Sequence, residues 1–142
     1  PYFTLFLALI EGRQRCLRYV NAGHNTQFLL RGDGAVERLA STGRPPGLLP
    51  GGGYEQRSAS LGDGDALFLF TDGLVEAEDD SGEPFGAARL EALLRVHLAE
   101  GLAPLLSRID QAVRAHRGPH EAADDATMVA LRYSSVPAQE RG

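Results

Sequence analysis

The stretch LFLFTDGLVEAEDD, Leu67 to Asp80, runs from unbroken apolar residues into Asp72-Gly73 and then into an acidic segment. Its first half reads as a strand buried on both faces, because no polar residue alternates through it. The carboxylate that follows admits two readings. Asp-Gly is among the commonest turn pairs, since aspartate bonds its own backbone and glycine adopts φ angles that other residues avoid. A short, hard carboxylate at a rigid sheet end also suits Mg²⁺ or Mn²⁺, and Gly73 beside it lets backbone, ion or substrate approach closely. Two further pairs, Asp33-Gly34 and Asp63-Gly64, lie between polar strand ends and read as turns.

Upstream of Leu67, Tyr2 to Ile10 is apolar at alternate and intervening positions alike, as a central strand covered on both sides should be. Glu11 to Gln14 is a turn, and RCLRYVNAG returns as a strand. TQFLLRGDGAVERLA is a hairpin turning at Gly32-Asp33-Gly34. Ser41 to Gly53 is too rich in Pro and Gly for regular structure, YEQRSASL alternates as a half-exposed strand, and GDGD turns the chain into ALFLFTDG.

Downstream, the apolar period lengthens from two to about 3.6. Leu90, Leu93, Leu94 and Leu98 form one stripe, Gly101 interrupts, and Leu102, Leu105, Leu106, Ile109 and Val113 form another. Two amphipathic helices, a loop RGPHEAADD and a last strand ATMVALRY follow. The order of about six strands, two helices and one strand predicts a layered α+β domain of antiparallel strands. The final strand must return beside the others, which carries Asp124-Asp125 back towards the sheet. Adjacent carboxylates repel, so such a pair needs a cation, donors or open water. The pair reads either as a solvated loop or as one ligand with its neighbour in support.

The chain has 142 residues, 43% of them hydrophobic and 23% charged, with a net charge of -5. These values describe one ordinary globular domain with no basic footprint for nucleic acid. The single Cys16 leaves no internal disulfide and no multi-cysteine zinc site. No apolar run approaches the roughly 20 residues that span a bilayer, so no membrane contact is expected and the location reads as cytoplasmic. A nucleotide-binding domain is excluded by the lack of a Gly-rich strand-to-helix phosphate loop and of a Walker lysine.

FTLFLALIE, LRYVNAGHNTQFLLRGDG, LASTGRPPGLLP, LGDGDALFLFTDGLVEA, FGAARLEALL and ADDATMVALRY occur in this order. Together they closely resemble the SpoIIE-like branch of the metal-dependent, protein phosphatase 2C-type serine/threonine phosphatases, over Phe3 to Tyr133. NAGH, TDG and DD are the most specific parts. The resemblance implies an αββα sandwich of antiparallel sheets with flanking helices and two Mn²⁺ or Mg²⁺ ions at the sheet ends. It implies that water of lowered pKa attacks the phosphorus of phosphoserine or phosphothreonine in line.

Carried onto this chain, Asp72 and Asp124 are metal ligands, Gly73 belongs to the same site, and Asp125 is a weaker candidate in support. Asn21 and His24 are expected to shape the strand-to-loop junction, and Glu76 to cap the loop after Asp72. His97, His116 and His120 read as unrelated to a site, and Arg44 as a solvated loop residue. The implied substrate is a phosphorylated STAS-domain anti-sigma-factor antagonist, with a sensor domain upstream. The pattern also requires an upstream aspartate, in a Gly-Asp-x-x-Gly strand end, that bridges the metals; nothing before Phe3 supplies it. Residues 1–133 are therefore expected to be the C-terminal part of a phosphatase domain incomplete at its N-terminus, and 134–142 a disordered tail. The competing expectation is a partner-binding remnant of the same fold without turnover.

Overall fold

The computed structural model describes residues 1–121 and 124–135. In chain order these form β1 (Leu5–Glu11), β2 (Cys16–Ala22), β3 (Gln27–Leu30), β4 (Val36–Leu39), β5 (Arg57–Ser60), β6 (Ala66–Phe70), α1 (Ala87–His97), α2 (Leu102–Arg117) and β7 (Met128–Arg132). Six strands, two α-helices and one strand is the predicted order. Residues 136–142 of the expected tail lie outside the described residues.

β3 and β6 carry almost nothing but Phe, Leu and Ala because both of their faces are covered. They are the inner strands of an antiparallel sheet ordered β4-β3-β6-β7. Phe28, Leu30, Ala66, Phe68 and Phe70 face the helices, where Leu90, Leu94 and Leu98 meet Leu105, Ile109 and Val113 in one core. Leu29, Leu39 and Leu67 face the other way, onto Leu17, Tyr19 and Leu61, and this second core joins the sheet to a three-stranded one ordered β1-β2-β5. Each fully buried Leu or Phe is worth about 1.5–3 kcal/mol of transfer free energy, so both interfaces are strongly specified. Gly101 separates the two apolar stripes with φ of 101°, a conformation left to glycine, and so redirects the chain between helices.

Three layers result: sheet, sheet, helices. The fold class is α+β, and it places the C-terminal end of β6 beside the start of β7, with Phe70 opposite Met128.

Two expectations about strands need correction. The segment Tyr2 to Ile10 is not a central strand. β1 lies at the sheet edge, and Leu7 and Leu9 are 60% and 56% exposed while Phe6 and Ala8 turn inward to the core. An apolar run does not by itself distinguish a covered strand from an edge strand with one bare apolar face. The strand expected over YEQRSASL shrinks to Arg57–Ser60, because Glu55 instead donates its amide to Thr42 of the Pro/Gly-rich loop.

Candidate metal centre

The pairing of β6 with β7 continues past their last ladder residues and sets the rim. The amide of Thr71 donates to the carbonyl of Thr127 at 3.1 Å, and the amide of Thr127 donates back to the Thr71 hydroxyl at 2.9 Å. That hydroxyl also donates to the Asp125 carbonyl at 3.4 Å. Directly beyond, Asp72–Leu74 forms one 3₁₀ turn, whose Asp72 carbonyl accepts from the amides of Val75 and Glu76, each at 3.0 Å.

Gly73 presses on the returning strand. A Cβ built there would lie 2.4 Å from the Asp125 carbonyl oxygen and 3.0 Å from its carbon. The TDG and DD segments are therefore in backbone contact, and only a glycine permits it.

Gln27 and His24 fix the end of β6 from the sheet side. Gln27 is 1% exposed; its Oε1 accepts from the Phe70 amide at 2.7 Å and its Nε2 donates to the Phe70 carbonyl at 3.2 Å. Nε2 of His24 reaches the same carbonyl at 3.2 Å, while its Nδ1 meets the Thr4 hydroxyl at 3.0 Å. Asn21 is fully buried: its side-chain amide donates to the carbonyls of Asn25 and Leu39, and its backbone amide to the Thr42 hydroxyl. Gly23, with φ of 70°, lies so close to Pro45 that a Cβ would be 2.3 Å from its ring. The sequence reading missed Gln27. Its signal was a lone amide opening an otherwise apolar strand, a position where a buried polar group must find partners.

Asp72, Asp124 and Asp125 are all exposed. Oδ1 of Asp124 accepts from the Asp125 amide at 2.8 Å, and its side chain lines a cleft of about 810 Å³ together with Gly73 and Glu76. Asp72 is not among the residues lining that cleft. The acidic loop after Glu76 is braced internally. The Ser81 hydroxyl, then the amides of Glu83 and Ser81, hold the Asp79 carboxyl down at about 2, which makes it a turn-forming acceptor. His97 meets Glu100, His116 meets the Glu83 carbonyl and His120 meets Asp80, so each of these histidines has a local partner. Arg44 is exposed.

Carboxylate and carbonyl oxygens are the donors that Mg²⁺ and Mn²⁺ favour, so the chemistry of this rim fits such an ion. The donor number is smaller than a closed site requires: among the described residues no group of three or more His, Cys, Asp or Glu side chains could hold a metal.

Two stacked antiparallel sheets with helices against one of them make the α+β fold of the protein phosphatase 2C-type domains. Residues 1–134 match the family Stage II sporulation protein E (SpoIIE), and the chain belongs to that family. It is 32% identical over 130 residues to Protein IcfG of Synechocystis sp., covering 92% of this chain and 20% of that protein. It is 27% identical over 122 residues to Phosphoserine phosphatase RsbP of Bacillus subtilis, covering 86% and 28%. The SiaA-PP2C domain of Pseudomonas aeruginosa superposes with a TM-score of 0.82 at 24% identity, over 94% of this chain and 52% of that one, which is a likeness of fold. The chain thus spans about half of that solved chain and less than a third of the two curated relatives.

Proposed function

We propose that the chain forms the metal-holding rim of a protein phosphatase acting on phosphoserine or phosphothreonine, with Asp72 and Asp124 as ligands of Mn²⁺ or Mg²⁺. The observation that carries this reading is the contact of Gly73 with the Asp125 carbonyl, which joins two carboxylate-bearing loops from distant parts of the chain at one sheet end. Gly73 belongs to the site by allowing that approach, and Asp125 supports it through its backbone. Gln27 and His24 hold the Phe70 peptide, two residues before Asp72, so the carboxylate starts from a fixed backbone. Asn21 orders the loop beneath His24, and Glu76, bonded through its amide to Asp72, closes the turn. What divalent ions supply in such a site is Lewis acidity, which neutralises phosphoryl oxygens and lowers the pKa of water. Two ions are expected, and they need more donors than the described residues group together.

The family and the relative named as a phosphoserine phosphatase support a phosphoprotein substrate. We assign it to the class of STAS-domain anti-sigma-factor antagonists in bacterial partner-switching, within a cytoplasmic protein that carries a sensor domain upstream. The test is Mn²⁺-dependent hydrolysis of p-nitrophenyl phosphate by the full-length protein. Asp72→Asn and Asp124→Asn are each expected to cut kcat/KM by about 100-fold or more, about 2.7 kcal/mol of transition-state stabilisation. Equal rates in mutant and parent would refute the assignment.

One observation favours a second reading. The lack of a three-residue ligand cluster among the described residues suits a partner-binding module that keeps the fold without turnover. That module would bind its partner equally well with and without Mn²⁺ and would hydrolyse nothing.

A further inference from the structure

Thr71 joins the end of β6 to the turn that carries Asp72, and capping does not explain its side chain. It is the N-cap residue of Asp72–Leu74, with extended backbone at φ of -96° and ψ of 159°, yet its hydroxyl caps no amide of that turn. A threonine in this position ordinarily accepts from an amide of the first turn. Here the hydroxyl reaches across to the returning strand and accepts from the Thr127 amide at 2.9 Å.

The register that sets Phe70 opposite Met128 sets Thr71 opposite Thr127. The Thr71 amide donates to the Thr127 carbonyl at 3.1 Å. In a hydrogen-bonded antiparallel pair the return bond runs from the partner amide to the backbone carbonyl. The Thr71 carbonyl is engaged elsewhere: it accepts from the Leu74 amide at 3.1 Å and so opens the 3₁₀ turn. The hydroxyl takes its place in the rung. Its proton stays free to donate and is directed to the Asp125 carbonyl 3.4 Å away, a long and weak bond to the same oxygen that fills the side-chain position of Gly73.

We propose that Thr71 is a positioning residue for the two carboxylate-bearing loops, its hydroxyl standing in for its own carbonyl. The substitution lets the chain leave the sheet at Asp72 while the sheet still holds the strand that follows Asp124 and Asp125. Without the hydroxyl, the Thr71 carbonyl is the acceptor left for both amides, and it serves one only by tilting away from the other. If it turns to Thr127, the ladder lengthens and the turn at Asp72 opens; if it stays with Leu74, the Thr127 amide is left to water and the Asp125 loop loosens. Either outcome shifts Asp72 relative to Asp124. Gln27 and His24 fix the Phe70 peptide on the upstream side, and Thr71 carries that constraint across to the returning strand. The proposal rests on the reading of Asp72 and Asp124 as metal ligands and concerns how they are held.

Two measurements on the full-length protein test it, hydrogen exchange at the Thr127 amide without metal and calorimetric titration of Mn²⁺. Thr71→Val keeps the shape of the side chain and removes the hydroxyl, whereas Thr71→Ser keeps the hydroxyl. In Thr71→Val, exchange at Thr127 is expected to quicken about tenfold. Mn²⁺ affinity is expected to fall about tenfold, the usual penalty for losing a group that orients a ligand. Thr71→Ser should restore both. The rung is exposed, so the thermal midpoint should stay near the parental value in either variant, which separates lost positioning from lost folding. Parental exchange or parental Mn²⁺ affinity in Thr71→Val overturns the proposal, as does a Thr71→Ser that behaves like Thr71→Val. The phosphatase reading fails on a different result, Mn²⁺ binding unchanged by Asp72→Asn, and that result takes the proposal with it.

Discussion

The three Asp-Gly pairs of this chain look alike in sequence and use glycine for different reasons. Gly34 and Gly64 have φ of 92° and 87°, and a Cβ at Gly34 would meet nothing within 4 Å. Their requirement is conformational. Gly73 is required because the Asp125 carbonyl fills the place of a side chain. Gly34→Ala is accordingly expected to cost about 1–2 kcal/mol from left-handed backbone alone, measured by urea denaturation. Gly73→Ala should cost about 1–3 kcal/mol by forcing the loops apart and, unlike Gly34→Ala, should weaken Mn²⁺ binding. Parental Mn²⁺ affinity in Gly73→Ala would separate the close approach from the metal. At Gln27, replacement by Leu strands the Phe70 amide without a partner, and a loss of about 2–3 kcal/mol is expected in the same denaturation experiment. None of these distinctions is legible from the dipeptide, because a close approach is made by residues more than fifty positions away.

Among the elements, periodicity carried most of the reading. The stripes at Leu90, Leu94 and Leu98 and at Leu105, Ile109 and Val113 face one core, as their 3.6-residue spacing requires. Turn chemistry was legible as well: Asp33 accepts from the Ala35 amide at 2.9 Å inside its turn. The GDGD segment was legible as a turn, while the role of Asp65 within it was hidden. Asp65 is 4% exposed and ties three segments together, accepting from the amides of Gly62 and Gly32 and from the Arg31 guanidinium at 2.7 Å. Burial pushes its pKa up, and those three donors outweigh burial and leave the carboxyl below its ordinary value. An aspartate depressed in the folded state stabilises fully above the unfolded pKa of about 3.9 and loses that contribution as pH falls through the lower folded value. Asp65→Asn should therefore cost about 3 kcal/mol at neutral pH. The gap between parent and variant should close below about pH 4 in acid titrations followed by circular dichroism. A gap independent of pH would mean that the charge of Asp65 is not what holds the turn.

On the largest scale, among the described residues, helices cover one sheet and leave the outer face of the other bare. Leu5, Leu7 and Leu9 stand on that face beside Val20. Leu7→Ser is expected to change stability by less than about 0.5 kcal/mol, whereas Leu17→Ala, fully buried on the neighbouring strand, should cost about 2–5 kcal/mol. A large penalty for Leu7→Ser in the isolated chain would mean that the face is covered in solution. The layered class was readable from the order of elements, but which face stayed bare was not, since an apolar strand looks the same whether or not a layer lies over it. The return of β7 beside β6 has a consequence in time. Asp72 emerges from the ribosome long before Asp124, and the rim that joins them closes only when the last strand slots in. A nascent chain halted before Met128 should therefore carry folded hairpins and an open rim, so that the contact between the two loops arrives in a single step with the pairing of β7.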